Sequence, residues 1–294
     1  MNKCSLIQQV IARTMNDNIT KQYIDLEKVL AAKGVKVPKL VLRFLNRLLH
    51  VEELNEGIYL NRDKEGVDFA RAIMQHLDVD VRLEHAERIP TDGTPIIVAN
   101  HPLGGPDGMA LIGAVGEVRR DILFPVNDFL MHLAPLKQVF VPIDKVHGNR
   151  GTAEGLEAAF AGQNVLLYFP AGLCSRRIKG RIVDLEWKPT VVKKAVLHHR
   201  DIVPVYIEAR NRSRFYTIAN LRKRLGIKFN FEMALLPGEM FAQRGKTIRM
   251  TVGKPIPYQT FEAGTPAKVW ASRLHDYVYR LAADADAEFE IKES

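Results

Sequence analysis

His101 and Asp107 are the residues of this 294-residue sequence whose types and spacing best suit proton transfer. An apolar run over 96–99 ends in Asn100-His101, a loop rich in glycine and proline follows, and Asp107 opens a helical pattern. A histidine can accept a proton, and a carboxylate beside it can fix the imidazole tautomer and stabilise the charged ring. Ligands of open α/β sheets bind at the carboxyl ends of strands, where this pair would lie. The alternative interpretation is structural: Asp107 caps a helix and His101 belongs to a turn.

A second apolar run, 164–169, stops at Pro170-Ala171-Gly172 and continues into a basic segment, 174–181. Backbone N–H groups around a glycine turn can hold an oxyanion or another anion. Cations beside such a turn suit a phosphate group. The basic segment contains Arg176, Arg177, Lys179 and Arg181. The alternative interpretation is a strand that ends in a solvated basic loop.

Strands and helices alternate from residue 79 onward. Strands are predicted over 79–83, 95–99, 121–125, 139–143, 164–169, 202–209 and 248–252. Helices are predicted near 107–118, 130–134, 152–161 and 191–200, with a closing helix over 266–285. This alternation predicts an α/β fold, in which helices flank a mixed, largely parallel sheet.

The first part of the chain, 1–78, is predicted to be a helical N-terminal region, and 79–294 a single α/β domain. Helical spacing of apolar residues occurs over 5–15, 22–32, 39–50 and 69–77. In the third of these segments, basic residues are interspersed among the apolar ones. Such a helix can lie on an anionic bilayer, or it can pack its apolar face against its own domain.

The chain is basic, with 42 Lys and Arg against 34 Asp and Glu and a net charge of +8. A basic surface fits nucleic acid, an anionic membrane, or an acidic protein or substrate. Zinc-finger and RNP-like patterns are missing, so we expect no nucleic-acid partner. No apolar window spans a bilayer and no signal peptide opens the chain, which predicts a cytoplasmic protein. The two cysteines, Cys4 and Cys174, match no metal-site spacing, and we expect no metal.

Taken in order, these segments resemble four sequence blocks of the glycerolipid acyltransferase family, which includes the lysophosphatidate acyltransferases. The stretch from Asn100-His101 to Asp107 is similar to the catalytic block of that family, commonly Asn-His-x4-Asp. Phe169-Pro170-Ala171-Gly172, followed by Ser175-Arg176, resembles the Phe-Pro-Glu-Gly block. The strands at 139–141 and 203–205 are similar to the second and fourth blocks.

Three departures from the family pattern bear on the acceptor. Five residues separate His101 from Asp107, as in a hemolysin-like branch that includes O-acyltransferases of lyso-aminolipids. The second block lacks the usual arginine, since Pro142-Ile143-Asp144 follows the strand, and Ala171 stands where glutamate is usual. Those polar residues help the family bind the phosphate of its acceptor. The resemblance therefore leaves a lyso-aminolipid and lysophosphatidate as the two acceptors.

The resemblance implies an O-acyltransferase that moves a fatty acyl group from an acyl thioester to a lysolipid hydroxyl. Acyl carrier protein or coenzyme A would carry the acyl group as co-substrate, without a bound cofactor. His101 would be the general base and Asp107 its orienting partner. Oxyanion and substrate binding is predicted for Asn100, Gly104, Gly105, Gly172, Ser175, Arg176, Arg177 and Lys179.

Such an enzyme of a bacterial cell would attach peripherally to the inner face of the cytoplasmic membrane. One alternative is a non-catalytic membrane- or nucleic-acid-binding protein on the same fold. Another is a lipid hydrolase, although no Gly-x-Ser-x-Gly nucleophile elbow occurs in the chain.

Overall fold

The structure is a computed structural model that describes residues 24–32, 34–126, 130–142, 150–262 and 264–291. The predicted helix over 5–15 and the residues that follow the fourth strand, 143–149, lie outside these ranges.

Seven strands form one sheet in the order β1-β9-β8-β2-β5-β3-β4, and β6 and β7 form a separate hairpin. The strands are β1 (Asp80–Glu84), β2 (Ile96–Ala99), β3 (Ile122–Val126), β4 (Phe140–Pro142), β5 (Val165–Tyr168), β6 (Arg176–Ile178), β7 (Arg181–Val183), β8 (Ile202–Glu208) and β9 (Thr247–Val252). All seven predicted strands are confirmed, with small shifts at their ends. The β6–β7 hairpin begins in the basic segment 174–181, where the sequence predicts no strand.

Every strand pairing of the large sheet is parallel except that between β8 and β9. The sheet is therefore mixed and largely parallel, as predicted. β2 lies between β5 and β8, with Ile97 in register with Leu167 on one side and Val203 on the other. Because these three strands run in the same direction, their carboxyl ends meet at one edge.

The described helices flank this sheet. They are α1 (Leu26–Ala32), α2 (Lys39–Leu48), α3 (Val51–Leu60), α4 (Gly66–His76), α5 (Pro106–Val115), α6 (Arg150–Ala161), α7 (Thr190–Leu197), α8 (Ser213–Arg224), α9 (Leu236–Phe241) and α10 (Ala267–Arg280). Around 130–136 the chain forms two short 3₁₀ turns where one helix was predicted. The sequence predicts no helix at α8 or α9. It predicts none at α3 in particular, although α3 lies in the region 1–78 that is predicted to be helical.

The side chains of β2 alternate between two apolar clusters, one on each face of the sheet. Ile97 belongs to a cluster with Phe69 of α4 and Leu111 of α5. Ile96 belongs to the opposite cluster, with Trp270 of α10. Burial of both faces explains why the central strands are continuous apolar runs rather than alternating ones.

The helices before residue 78 differ in their packing. α4 packs on α5, and its residues Val67 and Phe69 share the cluster of the sheet. None of the residues of α2 is buried. In the described part of the chain, no helix combines the length and apolar character that crossing a membrane requires.

Candidate active site

His101 and Asp107 meet at the carboxyl end of β2. The chain turns after β2 through 102–105, and the next residues begin α5. This turn brings His101 Nδ1 to 3.0 Å from Asp107 Oδ2. The Asp107 carboxylate is completely buried, whereas the His101 side chain is 14% exposed. The predicted pair is therefore assembled, and its histidine is the member that solvent reaches.

Asp107 also holds the loop in shape. Its Oδ2 accepts the N–H groups of Leu103 at 2.8 Å and Gly104 at 3.2 Å, and its Oδ1 accepts that of Gly108 at 3.0 Å. A carboxylate in the first turn of a helix is further stabilised by the helix dipole. The N-cap position of α5 is Gly105, and no side chain caps the helix, so the interpretation of Asp107 as a helix cap is wrong. Asp107 binds His101 and the loop instead.

The pair shifts the pKa values of both of its members. Burial opposes protonation of His101, but the charge of Asp107 and its hydrogen bond outweigh this and raise the pKa of His101 above its ordinary value. Burial would raise the pKa of Asp107, but His101 and the backbone N–H groups lower it below its ordinary value. Asp107 is therefore ionised, and it favours the tautomer in which Nδ1–H donates to it.

The other ring nitrogen of His101, Nε2, has no hydrogen-bond partner among the described residues. One face of the ring stacks on Phe169, with centroids 4.1 Å apart and planes inclined by 20°. The tautomer set by Asp107 leaves a lone pair on Nε2, so this atom can act as a base toward a bound hydroxyl.

Two glycines of the loop differ in what they require. Gly104 has φ +100°, and a Cβ added there would lie 2.8 Å from Leu236 Cδ1. Gly105 has an ordinary backbone conformation, and a Cβ there would meet nothing within 4 Å. Gly104 is needed for the turn, whereas Gly105 leaves open space beside the site.

A second buried carboxylate, Asp184, fixes the backbone of His101. The N–H of His101 lies 3.2 Å from both oxygens of Asp184. Ser175 Oγ donates to the same carboxylate at 2.6 Å, and Trp187 Nε1 at 2.9 Å. The Ser175 N–H donates to the His101 carbonyl at 2.7 Å. The predicted site residue Ser175 therefore joins its segment to the catalytic loop.

Asn100 and Arg176 use their side chains inside the protein. The Asn100 amide makes two hydrogen bonds with the backbone of Ile207, which connect β2 to β8. Arg176 is buried and pairs with the buried Glu232 at 3.2 Å. Both residues therefore have a structural role next to the site: Asn100 connects two strands, and Arg176 connects its segment to Glu232.

The other predicted binding residues are more accessible. Arg177 is partly buried and lies over the ring of Tyr216. Lys179 is exposed in the turn between β6 and β7. Gly172 has φ +64°, and its N–H donates to the Phe169 carbonyl at 3.0 Å. The N–H groups of Ala171 and Leu173 have no partner among the described residues, so they are the donors that this turn can offer.

The sequence patterns do not indicate Asp184, which lies 83 residues from His101. Glu232, the buried partner of Arg176, is likewise not indicated by the sequence. Asp184 stands in an unremarked stretch after the basic segment. It follows β7, and its hydrogen bonds with the His101 backbone and Ser175 connect it to the catalytic loop.

The fold and the site define an α/β protein with a histidine–aspartate pair for acid–base chemistry. A model of the Acyltransferase family matches residues 26–287. The chain belongs to this family and is an acyltransferase, which confirms the family predicted from the four sequence blocks. The finding favours acyl transfer over the hydrolase and non-catalytic alternatives.

Two relatives have the same name, lyso-glycine lipid O-acyltransferase. The one from Phocaeicola vulgatus is 44% identical over 265 residues, which cover 88% of this chain and 95% of the relative. The one from Bacteroides thetaiotaomicron is 42% identical over 264 residues, which cover 88% and 97%. A solved structure, the 1-acyl-sn-glycerophosphate acyltransferase PlsC from Thermotoga maritima, aligns with a TM-score of 0.47 at 16% identity, over 83% of this chain and 98% of that chain.

Proposed function

We propose that this protein is a lysolipid O-acyltransferase whose acceptor is a lyso-aminolipid of the glycine type. The observation that carries the proposal is the His101–Asp107 pair, whose Nε2 is open to a substrate at the carboxyl edge of the sheet. The acceptor class rests on the two relatives, which are named for O-acylation of a lyso-glycine lipid. Ala171, in place of the glutamate usual among phosphate-binding members, supports the same acceptor class.

In the proposed reaction, the acceptor hydroxyl attacks the carbonyl carbon of an acyl thioester. His101 Nε2 takes the hydroxyl proton as the C–O bond forms, and Asp107 stabilises the imidazolium. Backbone N–H groups beside Gly172, those of Ala171 and Leu173, stabilise the oxyanion of the tetrahedral intermediate. The C–S bond then breaks, and the imidazolium returns the proton to the departing sulfur. The products are an ester and a free thiol.

The proposed co-substrate is an acyl thioester of acyl carrier protein or coenzyme A. Exchange of an acyl group between a sulfur and an oxygen involves no change of oxidation state, so the proposal requires no redox cofactor. The net charge of +8 supports an acidic carrier protein as donor.

The proposed location is the inner face of the cytoplasmic membrane, with peripheral attachment through the N-terminal helices. Leu40 and Phe44 of α2 are 77% and 64% exposed. Lys39, Arg43 and Arg47 lie on the same helix. An exposed helix that combines apolar and basic residues binds anionic bilayers through both contributions.

The test measures lipids by mass spectrometry in bacteria that lack the protein, with and without its expression. In cells that express the protein, a diacylated aminolipid is expected to accumulate while the corresponding lysolipid decreases. His101→Ala is expected to abolish the product, with a loss of about 10²- to 10⁴-fold in the purified enzyme. His199→Asn, at an exposed position after α7, is the control and keeps full activity. Formation of phosphatidate alone would refute the acceptor, and activity of His101→Ala would refute the base.

A further inference from the structure

A cationic cavity of about 310 Å³ lies where the end of β8 meets the β6–β7 hairpin. Among the described residues, no acidic side chain lines it. Its cations are Arg177, Arg210, Arg212 and Lys246. Four cations around a small cavity create a strongly positive potential, which attracts an anionic group and repels a cationic one.

Asn211 connects this cavity to the catalytic loop. It lines the cavity, and its Nδ2 lies 3.4 Å from the carbonyl oxygens of Pro102 and Leu103. Both carbonyls belong to the loop between His101 and Asp107. A small head group in the cavity is therefore separated from the catalytic loop by one side chain, that of Asn211.

The four cations are not equally available. Arg212 forms an ion pair with the buried Glu239 at 3.1 Å, and Arg177 contacts Ser213 Oγ at 3.3 Å and lies over Tyr216. Arg210 and Lys246 are exposed, and their side chains make no ion pair or hydrogen bond with the described residues. The last two are therefore the cations with charge left for a ligand.

We propose that Arg210 and Lys246 bind the carboxylate of the lysolipid acceptor. This inference rests on the proposed function. A glycine joined to a lipid through its nitrogen leaves a carboxylate, and one joined through its carboxyl leaves an ammonium. The cavity accepts the first and repels the second. Arg210 presents a planar fork that matches a carboxylate, and Lys246 adds a second charge.

The test uses an N-(hydroxyacyl)glycine of short chain as acceptor and its primary carboxamide as the uncharged analogue. Arg210→Gln and Lys246→Gln are compared with Lys193→Gln, an exposed cation on α7 that does not line the cavity. In each cavity variant, the KM for the acceptor is expected to rise roughly tenfold or more, with little change in kcat. The preference of the wild type for carboxylate over carboxamide falls by a similar factor, and the control is unaffected.

Other outcomes separate the possible ligands. A rise in KM for the thioester donor, with none for the acceptor, would place a phosphate of the donor in the cavity and overturn the proposal. Unchanged constants for both substrates would overturn it as well. Direct titration of the N-(hydroxyacyl)glycine into the full-length wild type and its Arg210→Gln variant, without donor, measures binding in the cavity separately from acyl transfer. If the wild type binds this ligand but does not acylate it when the thioester donor is added, the proposed function fails and the cavity assignment survives.

A second surface, formed by the segment 221–231, has the composition of a membrane-binding surface. The segment 221–231, at the end of α8 and beyond it, exposes five large apolar side chains. Their exposed fractions are 54% for Leu221, 64% for Leu225, 41% for Ile227, 78% for Phe229 and 42% for Phe231. Lys223, Arg224 and Lys228 lie among them, and none forms an ion pair with a described residue. Apolar side chains interspersed with unpaired cations suit the interface of an anionic membrane.

This segment is close to the active site. It leads through a short 3₁₀ turn into α9, whose first residue, Leu236, occupies the space beside Gly104 of the catalytic loop. The same helix also contacts the residue that precedes α3, since the rings of His50 and Phe241 lie 5.1 Å apart. We infer that the segment 221–231 inserts into the anionic bilayer and brings the catalytic loop to its lipid substrates.

Sedimentation with vesicles tests this contact. The full-length wild type is expected to bind phosphatidylglycerol vesicles more tightly than phosphatidylcholine ones. The double variant Leu225→Ser/Phe229→Ser loses roughly tenfold or more of this affinity, but keeps its rate with a short-chain acceptor in solution. Leu197→Ser, on α7 and 61% exposed, is the control and binds like the wild type. Unchanged binding of the double variant would refute the contact, as would an equal loss in the control.

Discussion

Oδ2 of Asp107 lies 3.0 Å from Nδ1 of His101 and also accepts the N–H of Leu103 at 2.8 Å. The same oxygen therefore orients the His101 imidazole and also holds the loop between His101 and Asp107. The loop has one residue more than is common in the family, and Gly104 accommodates the turn with φ +100°. The longer loop thus retains the acid–base pair.

Asp107→Asn is expected to lower kcat by about 10²- to 10⁴-fold, because the amide no longer enforces the tautomer of His101 or stabilises the imidazolium. Steady-state kinetics with saturating donor and acceptor measure the loss. Circular dichroism at the same pH controls for folding. Activity within a few-fold of the wild type would contradict the role of Asp107.

The pH dependence of the same variant tests the pKa of His101. The wild-type kcat/KM is expected to rise with pH through a pKa above the ordinary histidine value, because only neutral His101 is a base and Asp107 raises its pKa. In Asp107→Asn the carboxylate that raises the pKa of His101 is gone, whereas burial still lowers this pKa. The acidic limb of kcat/KM therefore moves to lower pH. A limb that stays at the wild-type pH would show that another group controls it.

Gly104→Ala and Gly105→Ala form a matched pair at adjacent positions. Gly104→Ala is expected to lower the free energy of unfolding by about 1–3 kcal/mol, because an alanine at φ +100° is strained and its Cβ meets Leu236. Gly105→Ala leaves stability nearly unchanged, since its Cβ enters open space. Denaturant unfolding of both variants measures the difference, and equal stabilities would show that the loop relaxes freely.

The strands and the His101–Asp107 pair were predictable because their signals are local. The central strands of the sheet are short apolar runs, and the seven residues 101–107 contain the whole pair. The β6–β7 hairpin was missed because its charged residues resemble those of a solvated loop. Asp184 cannot be assigned from sequence, since it follows the distant β6–β7 hairpin and reaches the His101 backbone only through tertiary hydrogen bonds. The polar character of Ser175 and Arg176 predicts substrate binding, but their side chains bind the buried carboxylates of Asp184 and Glu232 instead.

Cys174 is expected to be inert as a thiol. It is fully buried, and burial raises its pKa to about 11, so the thiolate is scarce at neutral pH. The native protein should react with iodoacetamide at this cysteine only after denaturation, as peptide mass spectrometry can show. Cys174→Ala should keep wild-type acyl transfer, and its inactivity in a folded state would point to a covalent intermediate instead.

Asp184→Asn tests the support beneath the catalytic loop. Asp184 accepts hydrogen bonds from the His101 backbone, Ser175 and Trp187, and loss of its charge weakens all of them. The free energy of unfolding is expected to fall by about 1.5–3 kcal/mol, and that of Ser175→Ala by about 1 kcal/mol. The charge of Asp184 also helps to raise the pKa of His101, so the acidic limb of kcat/KM should move to lower pH in Asp184→Asn and stay in place in Ser175→Ala. A purely structural carboxylate would change stability in both variants and move the limb in neither.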